Sequence, residues 1–330
     1  MKKFIITLFV ILFMPISVLA EDINVAFTID NNYPLFTLLA INSILQNNKS
    51  DSHYNFYVIE DNITANNKEL MSEYVKKRNQ SIEFINIDTD IIDGGVLLFS
   101  YLKRITPIGM ARIMLPKLLD TDIHNVLYLD SDILVTGDLK NLYDIDLCGF
   151  PAGLALNITQ LKALDGHRFK NGYYNSGVIL MDLDMWRKEH ISDKMLTFIK
   201  DNKDKFLVDD DGDVIFMYPD QDLINIVLNG KIKALPQRWN TQTIRNEVLG
   251  DAGGIIHFIG GMKPWAYPLR PNEYMKLYYK YWGQSGLRAY KWHYAFKGLK
   301  NNYLYMLAYS RYRFLKFRYK FYKLFEKPEV

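Results

Sequence analysis

The chain contains 330 residues, of which 49% are hydrophobic and 23% are charged, so it is long enough for one large α/β domain or two smaller ones and is not of the disordered class. Its one cysteine, Cys148, excludes an intrachain disulfide and a cysteine-based zinc cluster, and we expect it to be a small buried apolar residue. The net charge of +3 arises near the C-terminus: residues 286–330 contain 11 of the 40 Lys and Arg but 2 of the 37 Asp and Glu, which leaves 29 basic and 35 acidic residues before them.

The two ends of the chain differ in composition from the residues between them. Residues 1–20, MKKFIITLFVILFMPISVLA, are typical of a secretory signal peptide, and an uncleaved membrane anchor is the alternative. Residues 286–330 mix cations with aromatic rings, as in RYRFLKFRYKFYKLF (311–325), which favours a helical tail that binds an anionic membrane surface. A C-terminal helix packed on the core is the alternative. RNA-binding motifs are absent from the sequence, and we expect no nucleic-acid partner.

The first part of the chain alternates between predicted strands and helices. Apolar runs at 23–29, 55–60 and 82–87 predict three strands, and helical periodicity follows Pro34 and extends over 63–78, with Thr64 as an N-cap. This order predicts a parallel sheet with right-handed crossovers. Ligands bind beyond the carboxyl ends of the strands in such sheets. The polar loop after the first strand, residues 30–33, would lie at such an end.

The stretch LYLDSDILV (127–135) is an apolar run interrupted by Asp130 and Asp132. Side chains two apart on a strand point the same way, so both carboxylates could bind one cation. A solvated turn is the alternative, because Asp and Ser favour loop starts and D-x-D alone is a weak motif. Helical periodicity is predicted at 107–118, just before this run, and Arg112 lies in that segment.

The second half of the chain supplies further candidate ligands. A strand followed by a helix is predicted over 172–186, a helix with acids in its first turn over 220–230, and a strand that enters a glycine turn over 255–265. His257 in that last strand could complete a cation site, and mixed carboxylate and imidazole ligands suit Mn²⁺, with Mg²⁺ as the alternative. The turn that ends in Lys263 offers backbone N–H groups and one positive charge, which favours a diphosphate. The acidic run at 209–213 lacks the EF-hand spacing and is predicted to be a solvated loop.

Six segments occur in the order seen in glycosyltransferase family 8: VAFTIDNNY, the arginine of PIGMARIMLP, LYLDSDIL, YYNSGVILM, YPDQDLIN and HFIGGMKPW. Over about residues 23–282 the chain resembles the bacterial lipopolysaccharide α-glucosyltransferases and α-galactosyltransferases of that family. The resemblance implies a GT-A type α/β fold, with a Rossmann-like, mixed and mostly parallel sheet flanked by helices. It also implies a UDP-glucose or UDP-galactose donor, a divalent metal, and retention of configuration at the anomeric carbon.

The resemblance further implies a role for each matching residue. Asp130, Asp132 and His257 would bind the metal, and Gln221 and Asp222 would lie near the anomeric carbon. The implied catalytic set is Asp220, Gln221 and Asp222, although helix-start electrostatics alone would also explain acids at this place. The implied nucleotide-sugar-binding residues are Thr28, Asp30, Asn31, Asn32, Tyr33, Arg112, Asp130, Ser131, Asn175, Gly260, Gly261 and Lys263.

With this resemblance, the sequence leads us to expect a metal-dependent retaining transferase that moves glucose or galactose from a UDP-sugar to a lipopolysaccharide or another glycan or glycolipid acceptor. We expect it at the cytoplasmic face of the inner membrane, where UDP-sugars are supplied. Two alternatives remain: an exported glucosyltransferase that modifies a protein, and a membrane-bound sugar-nucleotide sensor without catalysis. The predicted organisation is a signal-like or anchor segment (1–20), a glycosyltransferase domain (21–285) and a membrane-associating tail (286–330).

Overall fold

The computed structural model describes residues 22–87, 107–158, 169, 171–202, 219–243, 253–261, 263–268, 270–287, 290, 294–296, 298 and 300. The signal-like segment, the acidic run at 209–213 and residues 301–330 of the basic tail lie outside these residues, so their predictions stay untested. None of the helices in the described ranges has both the length and the apolar character that a bilayer crossing requires.

The strands form two sheets. In chain order they are β1 (Asp22–Asp30), β2 (His53–Asp61), β3 (Ser81–Asn86), β4 (Asn125–Leu129), β5 (Ile133–Val135), β6 (Ala152–Leu156), β7 (Tyr174–Asp182), β8 (Ile232–Ala234), β9 (Thr241–Gln242) and β10 (Ile255–His257). The large sheet has the order β3-β2-β1-β4-β7-β6-β8, and the small sheet has the order β5-β10-β9. In the large sheet, β7 runs antiparallel to both of its neighbours, whereas the other pairs are parallel. The predicted mixed, mostly parallel sheet is therefore confirmed.

Helices cover both faces of the large sheet. They are α1 (Pro34–Gln46), α2 (Ala65–Lys76), α3 (Leu115–Leu118), α4 (Lys140–Tyr143), α5 (Leu183–Lys188), α6 (Ile191–Asn202), α7 (Pro219–Val227) and α8 (Glu273–Gln284), with 3₁₀ helices at Pro107–Met114, Gln237–Asn240 and Pro264–Ala266. Thr64 caps α2 as predicted, since its hydroxyl accepts a hydrogen bond from the Asn67 amide at 3.4 Å. The predicted helix at 107–118 is instead a 3₁₀ helix followed by α3. Pro116 has no N–H to donate to the Arg112 carbonyl, so the α-helical ladder is interrupted there.

The core consists of two apolar layers, one on each face of the large sheet. Val25 and Phe27 of β1 face α1, and Ala26 between them faces the layer that contains Trp186 and Leu223. All three β1 residues are fully buried, which explains why the strand is a continuous apolar run rather than an alternating one. Because both faces of the sheet are buried, its carboxyl edge is the place where polar side chains can lie together.

Two features near the surface complete the fold. The prediction for Cys148 is wrong: the residue is exposed, because the chain turns there with a left-handed φ of 53° while the Cys148 amide donates to Asp146 Oδ1 at 2.7 Å. The first described residues of the tail contact the core, with the ring of Tyr294 5.2 Å from that of Phe36. Phe296 beside it is 68% exposed. The tail therefore begins packed on the domain and presents apolar surface to solvent.

Candidate active site

The candidate site lies at the carboxyl edge of the large sheet. The parallel register of β1 with β4, in which Ala26 pairs with Tyr128, brings the loops after both strands to the same edge. Because β7 runs the opposite way, its first residues enter the sheet at this edge, and the Asp130 amide donates to the Gly177 carbonyl at 2.9 Å. The segment 130–132 then leads directly into β5 of the small sheet. Both sheets therefore contribute to one site.

Asp130, Asp132 and His257 come together at the junction of the two sheets. One ligand atom from each lies within 4.8 Å of the others. His257 Nε2 is 3.2 Å from Asp132 Oδ1 and 3.6 Å from Asp130 Oδ2, and the imidazole is 3% exposed. Two carboxylates and one imidazole form a donor set that fits a divalent cation such as Mn²⁺ or Mg²⁺ and leaves further positions for other ligands.

Gly177 provides the space that these ligands occupy. A Cβ on this residue would lie 2.1 Å from His257 Cε1 and 2.7 Å from Asp130 Oδ2. Both separations are far below van der Waals contact. The imidazole and one carboxylate therefore approach each other over a strand position where only hydrogen fits.

Arg112 connects the candidate metal site with the first acid of α7. Its guanidinium lies 3.2 Å from Asp130 Oδ1 and 3.1 Å from Asp220 Oδ2, and it donates to the Ser176 carbonyl at 2.9 Å. Burial acts to lower the pKa of Arg112, but Asp130 and Asp220 more than offset this and raise it above the ordinary value. The arginine therefore stays charged. It is buried between the two acids and pairs with both, and it is not a surface residue.

The first turn of α7 is buried, and its three polar residues are all engaged. Asp220 Oδ2 accepts from the Ser176 hydroxyl at 2.8 Å. Gln221 Oε1 accepts from Asn175 Nδ2 at 2.9 Å and from the Ser176 amide at 3.2 Å. These contacts favour a site over simple helix-start electrostatics, because each acid or amide points into the sheet edge and away from bulk solvent.

Tyr173 joins the other two residues of this turn. Its hydroxyl accepts from Gln221 Nε2 at 2.8 Å and donates to Asp222 Oδ1. Burial first, and then the Asp222 carboxylate, raise the pKa of Tyr173, so its hydroxyl remains protonated and able to donate. The amide of Gln221 and the carboxylate of Asp222 are thereby held in fixed orientations.

Lys263 lies on the other side of the carboxylate pair. Its ammonium group contacts Asp132 Oδ2 and donates to the Phe258 carbonyl at 2.6 Å. Burial acts to raise the pKa of Asp132, but Lys263 and His257 lower it overall, so the carboxylate is held ionised. Gly260, three residues earlier, adopts a φ of 78°, a conformation that glycine reaches at little cost. The predicted diphosphate turn therefore starts beside the candidate cation site.

The loop after β1 is less uniform than the sequence suggested. Tyr33 is 38% exposed, and burial first, followed by the negative charge of Asp132, raises its pKa. The Asn32 amide donates to Asp30 Oδ1 at 2.8 Å. Asn31 Oδ1 instead accepts from the Thr64 amide at 3.0 Å and so ties the loop to α2.

Ser131 also points away from the cluster. Its hydroxyl is 2.8 Å from that of Thr37 on α1, as expected for the residue between two acids that face the other way. Thr28 bonds the hydroxyl of Tyr128 at 3.1 Å, and Tyr128 in turn donates to Asp130 Oδ1 at 2.7 Å. Gly261 is exposed in the turn before Lys263. The donor-binding roles of all these residues remain predictions.

Four residues that position the others are not indicated by the sequence pattern. They are Tyr128, Tyr173, Gly177 and Asn240. Tyr128 lies two residues before the acid to which it donates. Tyr173 and Gly177 contact residues that are distant in sequence, so no local spacing reveals those contacts. Asn240 directly follows Trp239 in the stretch RWNTQ, and Trp239 is buried. A polar residue next to a large apolar one is the signal by which the sequence could have indicated Asn240.

Comparison with known proteins agrees with this architecture. The family model for glycosyl transferase family 8 matches residues 24–268. General stress protein A of Bacillus subtilis (strain 168) is 28% identical over 292 residues, which cover 81% of this chain and 96% of the relative. The lipopolysaccharide 1,2-glucosyltransferase of Escherichia coli (strain K12) is 27% identical over 267 residues, which cover 74% and 73% of the two chains. The crystal structure of the galactosyltransferase LgtC with donor and acceptor sugar analogues has the same fold, with a TM-score of 0.66 at 22% identity and coverage of 79% of this chain and 96% of that one. The chain belongs to glycosyl transferase family 8.

Proposed function

We propose that this glycosyltransferase is a metal-dependent, retaining hexosyltransferase that uses UDP-glucose or UDP-galactose as its donor. The observation that supports this most is the convergence of Asp130, Asp132 and His257 beside Lys263 and Arg112. Anionic and cationic groups alternate there over a few ångströms, as recognition of a nucleoside diphosphate with its cation requires. The preference for a UDP-hexose is supported by the names of the lipopolysaccharide transferases among its relatives.

Asp130, Asp132 and His257 would hold the cation, which supplies positive charge beside the leaving diphosphate when it is bound. Lys263 is already within contact of Asp132 and would turn to the β-phosphate as negative charge develops on it during cleavage of the anomeric C–O bond. Gly260 and Gly261 allow backbone N–H groups to approach the same oxygens. Arg112 keeps Asp130 and Asp220 apart at a fixed distance by pairing with both.

Retention of configuration permits either a covalent intermediate or attack from the face that the diphosphate leaves. Gln221 Oε1, the atom that would attack, already accepts two hydrogen bonds, and an amide is a poor nucleophile. We therefore favour same-face attack, in which the departing phosphate accepts the proton of the acceptor hydroxyl. Gln221 and Asp222 would then stabilise the positive charge on the sugar ring, while Asp220 and Asn175 bind its hydroxyl groups.

We further propose that the acceptor is a lipopolysaccharide or another glycan or glycolipid, and that residues 286–330 bring residues 21–285 to an anionic membrane surface. The basic and aromatic composition of this tail and the exposed ring of Phe296 support membrane association. Supply of UDP-sugars favours the cytoplasmic face of the inner membrane. The signal-like composition of residues 1–20 favours an exported enzyme that modifies a protein, and N-terminal sequencing of the mature chain distinguishes the two, since a start at Glu21 would exclude an uncleaved anchor.

A donor screen tests the proposal. UDP-glucose and UDP-galactose are incubated with the full-length protein with and without Mn²⁺, and release of UDP is measured alongside binding by calorimetry. We expect Mn²⁺-dependent turnover of one donor, and loss of metal-dependent binding in Asp132→Ala and His257→Ala. Binding without hydrolysis or transfer of any UDP-hexose would favour the sugar-nucleotide sensor instead. Trapping of a glycosylated peptide that contains Gln221 or Asp222 would contradict same-face attack.

A further inference from the structure

A buried asparagine lies between the candidate metal ligand His257 and the sugar-side residue Asn175. Asn240 ends the 3₁₀ helix Gln237–Asn240 and is fully buried. Its Oδ1 is 3.0 Å from His257 Nδ1, and its Nδ2 is 2.7 Å from Asn175 Oδ1. One side chain therefore contacts a residue of each half of the site, on positions separated by 17 and 65 residues in the chain.

Asn240 belongs to a row of hydrogen-bonded side chains that runs from His257 through Asn240 and Asn175 to Gln221. Backbone donors fix the direction of every hydrogen bond in this row. The Gly177 amide lies 3.0 Å from one amide atom of Asn175, and because a backbone N–H only donates, that atom is the oxygen. Asn240 approaches the same oxygen and must present its nitrogen to it. The remaining amide atom of Asn240 is then an oxygen, so the His257 nitrogen that faces it must carry a hydrogen.

The other end of Asn175 gives the same answer independently. The Ser176 amide donates to an atom of Gln221 at 3.2 Å, which identifies that atom as Oε1. Asn175 contacts this oxygen at 2.9 Å and must present Nδ2 to it, which again leaves Oδ1 toward Asn240. Two backbone groups on β7 thus set the orientation of three side-chain amides.

The direction of these hydrogen bonds determines which nitrogen of His257 faces the candidate cation site. With Nδ1–H donated to Asn240, the second ring nitrogen, Nε2, is the one that faces Asp130 and Asp132 and can supply a lone pair to a metal. Hydrogen bonds of this kind fix both the tautomer and the ring plane of a histidine ligand. Asn240 is not itself within the ligand cluster, and it acts through His257.

We propose that Asn240 is a positioning residue that selects Nε2 of His257 as the metal ligand and at the same time holds Asn175 toward Gln221. The proposal rests on the metal site proposed above. It differs from a purely structural role, in which Asn240 satisfies buried polar groups and its replacement changes stability but not metal affinity.

The test measures Mn²⁺ binding by the full-length protein without donor, from the electron paramagnetic resonance signal of free Mn²⁺. Asn240→Leu has nearly the same shape but no acceptor for Nδ1–H, and we expect its affinity for Mn²⁺ to fall by about 10- to 100-fold. Asn240→Ala, which cannot clash, serves if the leucine variant does not fold. Thr241→Val is the matched control, because it is the next residue and is also buried. Its hydroxyl has no hydrogen-bond partner among the residues that the structure describes, so its affinity should be that of wild type.

Asn240→Asp provides the rescue. Its carboxylate accepts the hydrogen of Nδ1 but cannot donate to Asn175, so we expect it to bind Mn²⁺ about tenfold or more tightly than Asn240→Leu. Folded Asn240→Leu and Asn240→Ala variants with wild-type affinity would overturn the proposal, as would an equal loss in Thr241→Val. His257→Ala distinguishes failure of the proposed metal site from failure of the proposed role of Asn240. If His257→Ala binds Mn²⁺ like wild type, the metal site itself is wrong. If only His257→Ala loses Mn²⁺ affinity, the role of Asn240 alone is refuted.

Discussion

Gly177→Ala tests the geometry of the site with the smallest possible change. The added Cβ would lie 2.1 Å from His257 Cε1, whereas carbon atoms in contact are about 3.5–4.0 Å apart, so the ring must move by about 1.4 Å. Metal coordination tolerates deviations of only about 0.2 Å. We therefore expect His257 to leave the proposed ligand set in this variant. Asp130 Oδ2, 2.7 Å from the same Cβ, must move as well.

We expect the loss of Mn²⁺ affinity in Gly177→Ala to match that of His257→Ala, with a decrease of about 1–3 kcal/mol in the free energy of unfolding from overpacking. Both quantities are measurable on the metal-free protein, by Mn²⁺ titration and by urea unfolding. Gly109→Ala is the control, because its Cβ would lie 3.9 Å from the Arg112 guanidinium, an ordinary contact. A folded Gly177→Ala variant with wild-type Mn²⁺ affinity would refute the close approach of His257 and Asp130 over this glycine.

Three further predictions concern the groups around the cluster. Lys263→Met removes one of the two groups that keep Asp132 ionised, and without metal we expect about 1–3 kcal/mol less stability in urea unfolding. Because the pKa of Asp132 is lowered in the folded protein, this advantage of wild type should be complete above pH about 4 and shrink as the pH falls below it. A difference independent of pH would contradict this prediction. Tyr173→Phe removes the hydroxyl that accepts from Gln221 Nε2 and donates to Asp222 Oδ1, so kcat should fall by about tenfold or more while Mn²⁺ affinity is unchanged. Tyr174→Phe is the control, because its hydroxyl bonds only the Asn171 carbonyl among the contacts described, and it should keep wild-type kcat. Equal effects in the two variants would argue for a general packing defect. A chain that ends at Lys300 lacks seven of the basic residues and should lose binding to anionic vesicles in a sedimentation assay. Each basic residue near the surface contributes about 1 kcal/mol to the binding free energy. Unchanged binding would assign membrane association to another part of the chain.

The sequence predicts the parts of this fold that depend on local pattern. Buried strands such as β1 appear as apolar runs, and Asp130 and Asp132 appear as a pair because strand geometry places alternate residues on one face. The convergence of His257 with them follows from the family resemblance and is a tertiary contact that spacing alone does not give. In the structure one ligand atom from each of the three lies within 4.8 Å of the others, and their role as metal ligands stays a prediction.

Contacts between distant segments account for what the sequence did not predict. The direction of β7 depends on its pairing with β4 and β6, and the row from His257 through Asn240 depends on a short 3₁₀ helix that no periodicity indicates. Cys148 was misassigned because its type is usually buried, whereas its backbone conformation in a tight turn determines its exposure. Side-chain chemistry was thus easier to predict than the orientation of individual amides and rings.

The position of the cluster between two sheets has a consequence for folding. Asp132 and Lys263 are separated by 131 residues, and His257 joins Asp132 only after β10 has paired with β5. Because these segments are distant in sequence, their ligand groups are far apart in the unfolded chain and are brought together only when the two sheets have formed. A cation that binds them recognises the native state alone, and at 100 times its dissociation constant it stabilises that state by about 2.7 kcal/mol. A cation bound at the proposed site would therefore raise the free energy of unfolding of the whole domain, and not only order the residues that contact it.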